Sequence, residues 1–227
     1  AYTDGWLKIN PTSEIDENIT LNTTNVVIVY DGKTYTAGTA SATDKNGGEV
    51  TIEYSADDGA TWTTNPTTIK ATNVADSVTV QVRASGANYT GYVTGTQKLT
   101  ITKREVKLTS ASDEKVYDGK ALTNGTVTVT GEGFVSGEGA SYTVTGSQTN
   151  VGKSDNSFTY TLNAGTIANN YTITTEVGKL EVTASGDIQN NITLTTADVE
   201  HMYDGTTYTA GTASATDKNG GEVTIEY

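Results

Sequence analysis

Hydrophobic and polar residues alternate in short runs along most of this chain. Ser77–Arg83 places a valine at every second position, and an apolar or aromatic residue likewise recurs at every second position in Thr126–Thr130, Ser141–Thr145 and Phe158–Leu162. A period of two is the period of a β-strand, whose successive side chains point to opposite faces of a sheet. No run of ten or more residues has a convincing helical period, so the pattern predicts an all-β protein.

Turn sequences separate these runs. Asp-Gly pairs occur at 31–32, 118–119 and 204–205, and Asn-Gly pairs occur at 46–47 and 124–125. Such pairs are favoured in tight hairpin turns, because glycine adopts positive φ without steric cost. About six to eight short strands per unit, with turns at close spacing, predict β-sandwiches of the immunoglobulin-like type.

Internal repetition is the largest signal in the sequence. Tyr-Asp-Gly begins at Tyr30, Tyr117 and Tyr203, with spacings of 87 and 86 residues. Spacings of this size fit small β domains that each hold a modest core. We expect each recurring tyrosine to pack at a sheet edge with its hydroxyl at the surface.

The first and third copies of this repeat are nearly identical. Residues 30–54 and 203–227 differ at one of 25 positions, where Lys33 stands against Thr206. At the same offset, Gly5–Ile9 aligns with Gly178–Val182, which has the pattern of the last strand of a unit. The chain therefore reads as a window cut from a longer array of two alternating domain types.

These alignments predict the domain organisation. Residues 1–12 form the closing strand of a preceding domain, 13–102 an Ig-like domain of type A, 103–183 a domain of type B, and 184–227 the N-terminal part of a second type A domain. The sequence at 102–103 has no Gly, Pro or Ser spacer, so we expect this joint to resist bending. The predicted fold is a set of tandem immunoglobulin-like β-sandwich domains arranged end to end.

Composition and charge exclude several classes of function. The net charge of −13 argues against nucleic-acid binding, which needs Lys and Arg facing phosphates. With no Cys and one His, the chain holds no disulfide framework, thiol nucleophile or His-rich metal cage. No apolar run has the length of a membrane span, and no signal peptide opens the chain. The 46 threonines suit the solvated face of strands and account for the low apolar fraction of 34%.

The type B domain resembles a known family. Lys115–Thr123, Val144–Gly152, Asn170–Ile173 and Gly178–Thr183 are similar to the MBG/YDG-type repeats of large bacterial surface adhesins, mostly Gram-positive. The type A domain matches at Tyr-Asp-Gly, at Asn88-Tyr89 and at Lys98–Ile101, whereas its middle departs toward other bacterial Ig-like variants. The resemblance implies a secreted, wall-attached stalk or adhesin on the cell surface and no catalysis.

One motif carries a candidate ligand platform. Ser55–Trp62 is similar to the Asp-box of sialidases, which marks a β-hairpin away from the catalytic residues of that family. We expect a plain hairpin in which Asp57 binds turn amides and Trp62 packs inward. The competing hypothesis uses Trp62 to stack on a sugar, and Trp6 is a lesser candidate that we expect in a closing strand or joint.

The other candidates for a metal site, a cross-link or catalysis are explained by ordinary structural roles. Acidic pairs at 57–58 and 113–114, and Asp118, have Ca²⁺-ligand chemistry, but no Asp-x-Asp-x-Asp-Gly loop is present, so we expect a solvated surface. Lys70, Lys107 and Lys120 lie in or near strands, where an isopeptide link to Asn needs a buried acid that the sequence does not reveal. His201 replaces Ile28 of the first copy, which predicts a partly exposed strand position. We therefore predict no catalytic, cofactor-binding or metal site.

The sequence thus favours a structural role and leaves two alternatives. The first hypothesis is an inert extracellular stalk of a cell-surface adhesin, whose partners are neighbouring domains of the same chain. The second is weak, multivalent binding of host glycans or mucin through repeated domains. The third is self-association as a filament subunit through exposed strand edges. We predict no enzyme activity, because no paired carboxylates or nucleophile repeat in the way a cleft would require.

Overall fold

A computed structural model describes residues 7–227 and confirms the all-β, immunoglobulin-like fold. The chain forms two compact units. The first consists of Ala1–Val106, Glu132–Gly139 and Ala164–Thr172, and the second of Lys107–Gly131, Ala140–Asn163 and Ile173–Tyr227. Within residues 7–227, no helix combines the length and the apolar character that crossing a bilayer requires.

Eight strands and one short helix build most of the first unit. They are α1 (Ile15–Asn18), β1 (Ile19–Asn22), β2 (Val26–Val29), β3 (Tyr35–Thr36), β4 (Ser41–Asp44), β5 (Val50–Ser55), β6 (Lys70–Ala71), β7 (Val78–Gly86) and β8 (Val93–Thr102). The main sheet has the order β2-β8-β7-β5, and smaller sheets pair β1 with β4 and β3 with β6.

The alternation in the sequence becomes the core of this unit. Along β7, Val80, Val82 and Ala84 are fully buried, whereas Gln81 and Arg83 between them are half-buried. The buried face of β8 continues the core with Leu99 and Ile101. Alternation therefore gives each of these strands one apolar face. Burial of that face stabilises the sandwich through the hydrophobic effect.

The second unit contains most of the remaining strands. They are β9 (Arg104–Ser110), β10 (Asp113–Val116), β11 (Val127–Gly131), β12 (Ala140–Val144), β13 (Gly152–Asn156), β14 (Phe158–Leu162), β15 (Tyr171–Glu176), β16 (Gly178–Thr183), β17 (Ile192–Thr196) and β18 (Ala213–Asp217). Of these, β9 and β15 start in the first unit. Their sheets have the orders β10-β16-β13, β11-β9-β15, β12-β14 and β17-β18. Leu122, Leu180 and Val182 form a buried cluster with Tyr117 packed against it.

Parallel strand pairs occur at corresponding places in the first two repeats. Strand β2 pairs with β8 and strand β10 pairs with β16, so an early strand of each repeat runs beside its last strand. The Tyr-Asp-Gly tyrosine extends each ladder by one bond, since Tyr30 N–H donates to Thr102 O (2.9 Å) and Tyr117 N–H donates to Thr183 O (2.8 Å). The motif therefore lies where the last strand ends and the chain leaves the repeat.

The Asp-Gly turns differ in one respect from the sequence prediction. Gly32, Gly119 and Gly205 have positive φ values of 79°, 75° and 81°, as expected. The hairpin expectation is wrong, because β2 before the first turn pairs with β8, whereas β3 after it pairs with β6. The turn transfers the chain from one sheet to another.

The third copy repeats the local structure of the first. Helix α2 (Ile188–Asn191) corresponds to α1, and β17 pairs with β18 in the register in which β1 pairs with β4, with Ile192 opposite Asp217 and Ile19 opposite Asp44. The predicted strand around His201 is absent, and this residue is exposed in irregular chain with its ring stacked on Tyr208. In the first copy the equivalent strand β2 is held by β8, and residues 7–227 contain no second copy of β8.

The bounds of the four predicted segments stay predictions. The predicted closing strand falls partly on residues 1–6, which lie outside the described residues and include Trp6. Residues 7–11 have no regular secondary structure, and Thr12 forms an isolated parallel bridge with Tyr89.

Candidate functional site

The Tyr-Asp-Gly motif folds the same way in all three copies. Asp31, Asp118 and Asp204 each accept, through Oδ1, a hydrogen bond from the backbone N–H two residues later, at 2.9, 3.0 and 2.9 Å. This is an Asx turn, in which a short side chain replaces a backbone acceptor. The hydrogen bonds favour the ionised carboxylate, and the pKa of Asp204 falls to about 2, chiefly through the Thr206 hydroxyl.

The first motif tyrosine is buried, which corrects the expectation of a surface hydroxyl. Tyr30 is 4% exposed, and its ring meets the Tyr171 ring edge to face, with centroids 5.5 Å apart. Both phenol hydroxyls donate to the carboxylate of Glu138, the Tyr171 Oη to Oε2 distance being 2.7 Å. We name Tyr30, Glu138 and Tyr171 the tyrosine seam. All three belong to the first compact unit, although two of them lie in the predicted type B domain.

Backbone contacts hold the Glu138 loop in place. Val135 N–H donates to the Tyr171 hydroxyl at 3.1 Å, so this hydroxyl both donates and accepts. Phe134 packs edge-on against Tyr171 at 5.1 Å between centroids. The loop therefore presents its carboxylate to the two phenols with an aromatic side chain beside them.

Arg104 fastens the same loop from the strand that follows the joint. Its Nε donates to Gly133 O at 2.8 Å, and one terminal nitrogen donates to Glu132 O at 2.6 Å. The other terminal nitrogen approaches Tyr30 O at 3.5 Å. A rigid guanidinium fork thus links the loop to the backbone of the motif.

A buried asparagine next to Tyr171 makes a further link within the first unit. Asn170 is fully buried; its Oδ1 accepts from Val74 N–H at 3.0 Å, and its Nδ2 donates to Asn73 Oδ1 at 2.9 Å. Buried polar atoms need hydrogen-bond partners. These two bonds therefore fix the segment directly before β15 relative to residues 73–74.

The second motif also packs on a following loop, inside the second unit. The Tyr117 hydroxyl donates to Asn219 O at 3.3 Å. A Cβ added to Gly119 would lie 2.6 Å from the same oxygen, and a Cβ added to Gly32 would lie 2.9 Å from Val135 Cγ1. Both glycines are therefore required by their positive φ and by the close approach of the next loop. Tyr203, in the third copy, is 99% exposed.

The Asp-box segment is the hairpin that the sequence predicted. Tyr54 and Thr63 exchange two backbone hydrogen bonds, at 2.7 and 2.9 Å. Asp57 accepts from the Ser55 hydroxyl and from both the amide and hydroxyl of Thr61. These donors, the Ser55 hydroxyl first, lower the pKa of Asp57 to about 2. The Asp57 carboxylate therefore stabilises the turn through these hydrogen bonds.

Trp62 does not pack inward as expected. Its ring lies half-buried against the Arg83 guanidinium, 4.0 Å from the ring centroid, while Tyr92 covers the same guanidinium at 4.2 Å. Glu53 accepts from Arg83 Nε at 2.7 Å, and the indole N–H donates to Gly59 O at 3.0 Å. Cation–π contact with Arg83 therefore occupies one face of the indole ring.

The remaining candidates are not assembled into a site. Asp113 accepts from Asn124 Nδ2 and Asp118 pairs with Lys115, and no three His, Cys, Asp or Glu side chains of residues 7–227 come together as a metal site requires. Lys70, Lys107 and Lys120 are exposed, and Lys107 pairs with Glu176. Sequence reasoning missed Glu138, whose loop shows no motif; the recurring tyrosine was the available signal.

Comparison with known proteins gives structural likenesses alone. No family model matches this chain, and no curated protein matches it. Human protocadherin-24 EC1-2 is similar with 11% identity, covering 74% of this chain and 99% of that one, at a TM-score of 0.32. Fibronectin(III)-like modules of Clostridium thermocellum CbhA (18% identity, 73% and 94% covered, TM-score 0.24) and chimeric titin Z1Z2 (15%, 75% and 98%, 0.23) are also similar.

Removing one phenol hydroxyl from the tyrosine seam should destabilise the first unit. We expect Tyr171→Phe to cost about 1–3 kcal/mol in urea unfolding, because the Glu138 carboxylate and the Val135 amide each lose a partner in a partly buried setting. Tyr203→Phe is the matched control, since this motif tyrosine is exposed. Equal costs for the two variants would contradict the role given to the seam.

Stability should fall in alkaline solution through the same phenols. Burial is the largest cause that raises the pKa of Tyr30 and Tyr171, and the Glu138 carboxylate adds to it in both. A folded-state pKa above the unfolded value of about 10 gives stability that is complete below pH 10 and is lost as pH rises through the folded-state pKa. Urea unfolding between about pH 8 and 11, followed with tyrosinate absorbance, should show this loss, and Tyr171→Phe should weaken it. An unchanged pH slope in the variant would refute the assignment.

The glycine of the first motif should tolerate alanine less well than that of the third. Gly205→Ala should cost about 1 kcal/mol from its positive φ alone, because a Cβ there meets nothing within 4 Å. Gly32→Ala should cost about 2–3 kcal/mol, because Val135 must also move. Thermal and urea unfolding of both variants measures the two losses of unfolding free energy. A loss for Gly32→Ala no larger than that for Gly205→Ala would show that the Val135 contact does not matter.

Proposed function

We propose that this chain is part of the structural stalk of a bacterial cell-surface adhesin built from MBG/YDG-type and related Ig-like repeats. In this role an extended, wall-attached or secreted rod projects a distal binding domain away from the cell. The observation that carries the proposal is the repeated use of the Tyr-Asp-Gly turn as a packing surface for the loop that follows it, at Tyr30 and again at Tyr117.

The short connection between β8 and β9 is evidence for a stiff array. One residue, Lys103, separates β8 from β9, and Arg104 immediately binds the loop that carries Glu138 through Glu132 and Gly133. A connection this short leaves few free backbone dihedrals, and buried side chains around it oppose their rotation. Four residues, 184–187, connect β16 to α2, so the second joint has more length.

Surface chemistry also supports a spacer. The net charge of −13 keeps neighbouring chains apart by like-charge repulsion and keeps them soluble. The near-identity of residues 30–54 and 203–227 fits an array whose length changes by copying units. A spacer needs these properties and no ligand site.

Multivalent binding of host glycans or mucin is the second candidate. Its best residue, Trp62, is stacked against Arg83, and the outer ring of that stack, Tyr92, is 47% exposed. This stack supports the stalk proposal over glycan binding, because the Trp62 indole already contacts Arg83 within its own domain.

Binding and adhesion measurements separate the two candidates. The purified chain should show no saturable binding to mucin or a glycan array, whereas shortening the array in bacteria that display it should reduce attachment to host cells. Binding that is lost in Trp62→Ala or Tyr92→Ala, with the fold retained by circular dichroism, would favour the glycan-binding alternative. Sedimentation at rising concentration tests filament assembly, which requires association.

A further inference from the structure

The first copy presents a surface whose counterparts are covered elsewhere in the chain. It consists of loop Asp44–Gly48, which we name the receiving loop, and the adjacent pair Asn88-Tyr89. Asn46 and Asn88 are exposed and Tyr89 is half-buried. We infer that this surface binds the Tyr-Asp-Gly turn of a type B domain, one with the sequence of residues 103–183. The inference rests on the proposed function and names the docking partner within the array.

The third copy shows a Tyr-Asp-Gly turn seated on the same loop. Asp217–Gly221 has the sequence of the receiving loop, and Gly119 approaches its Asn219 so closely that a Cβ would lie 2.6 Å from the carbonyl oxygen. The Tyr117 hydroxyl binds that oxygen at 3.3 Å. Asn219 is half-buried, whereas Asn46 is exposed.

The two loops have the same conformation, so they offer the same acceptor. In the first, Asn46 N–H donates to Asp44 Oδ1 (2.9 Å) and Gly47 N–H to Asp44 O (3.0 Å). In the third, the equivalent bonds on Asp217 measure 2.8 and 3.0 Å. Gly47 and Gly220 have φ values of 79° and 81°. The receiving loop is therefore preorganised for the contact.

In the tyrosine seam, a Tyr-Asp-Gly tyrosine packs against the type B counterpart of Asn88-Tyr89. Asn170-Tyr171 occupies the place in type B that Asn88-Tyr89 occupies in type A, directly before the last strands. With Tyr30 packed against it, Asn170 is 0% exposed and Tyr171 is 3% exposed. A Tyr-Asp-Gly tyrosine that packs beside Tyr89 would bury the corresponding pair in the same way.

Tyr89 is already oriented for this role. Its hydroxyl donates to Asp44 Oδ1 at 2.7 Å and accepts from Asn46 Nδ2 at 3.0 Å, which fixes the ring beside the receiving loop. The Asp44 and Asn46 counterparts in the third copy, Asp217 and Asn219, line a cavity of about 170 Å³ together with Tyr117. At the first copy, loop and tyrosine are both present, so one turn can contact both.

An extended chain tests the inference directly. Residues 103–183 are fused to Pro11 in place of residues 1–10, whose counterparts at the repeat offset are 174–183. Hydrogen exchange followed by mass spectrometry should show the amides of residues 46–48 and 88–90 slowed by about tenfold relative to the original chain, the effect of about one net hydrogen bond. Gly119→Ala in the added domain alone should restore the original rates, because its Cβ meets the loop.

The resident turn provides an internal standard. In the original chain, Tyr117→Ala should speed exchange of residues 217–221, and failure of this change would overturn the inference at its premise. Protection of 217–221 by Tyr117, with unchanged exchange at 46–48 in the extended chain, would also overturn it. Equal protection by an added domain made from residues 13–102 would overturn the preference for type B. These readouts involve no cell attachment, so they separate this inference from the stalk proposal.

Discussion

The parallel pairing of an early strand with the last strand is the constraint on which the rest of each repeat depends. It brings β2 beside β8 and β10 beside β16, and the motif tyrosine closes the ladder with one more backbone bond. Because the pairing ends where the chain leaves the repeat, the Asp-Gly turn must lie at that exit. The tyrosine seam and the Gly119 contact follow from this placement.

The tyrosine seam combines the burial of two phenol rings with hydrogen bonds from both hydroxyls to one carboxylate. Two neutral phenols donate to one carboxylate, so the negative charge of Glu138 is compensated by donors, with no opposite charge in the group of three. Such bonds are stronger than neutral ones, and burial increases the cost of breaking them. The same burial makes the phenols hard to ionise, which links the packing of this region to alkaline pH.

The local parts of the fold were predictable from the sequence, and the long-range parts were not. Alternation around Val80 and Val82 predicted the buried face of β7, and Asp31-Gly32 predicted a turn with positive φ at glycine, because both depend on neighbouring residues. The hairpin expected at Asp31-Gly32 was wrong, because the pairing of β2 and β3 is decided by distant strands. Glu138 lies 108 residues from Tyr30, in a loop whose sequence has no period or motif. Trp62 was placed wrongly for a similar reason, since its position depends on Arg83 across the sheet.

The single residue between β8 and β9 has a mechanical consequence. Tension applied along the chain enters the first repeat before β2 and leaves it after β8, and these neighbouring strands point in the same direction. Pulling therefore slides one strand along the other, so the hydrogen bonds between them bear the load together instead of opening one at a time. A repeat loaded in this way resists extension until the whole ladder between β2 and β8 breaks.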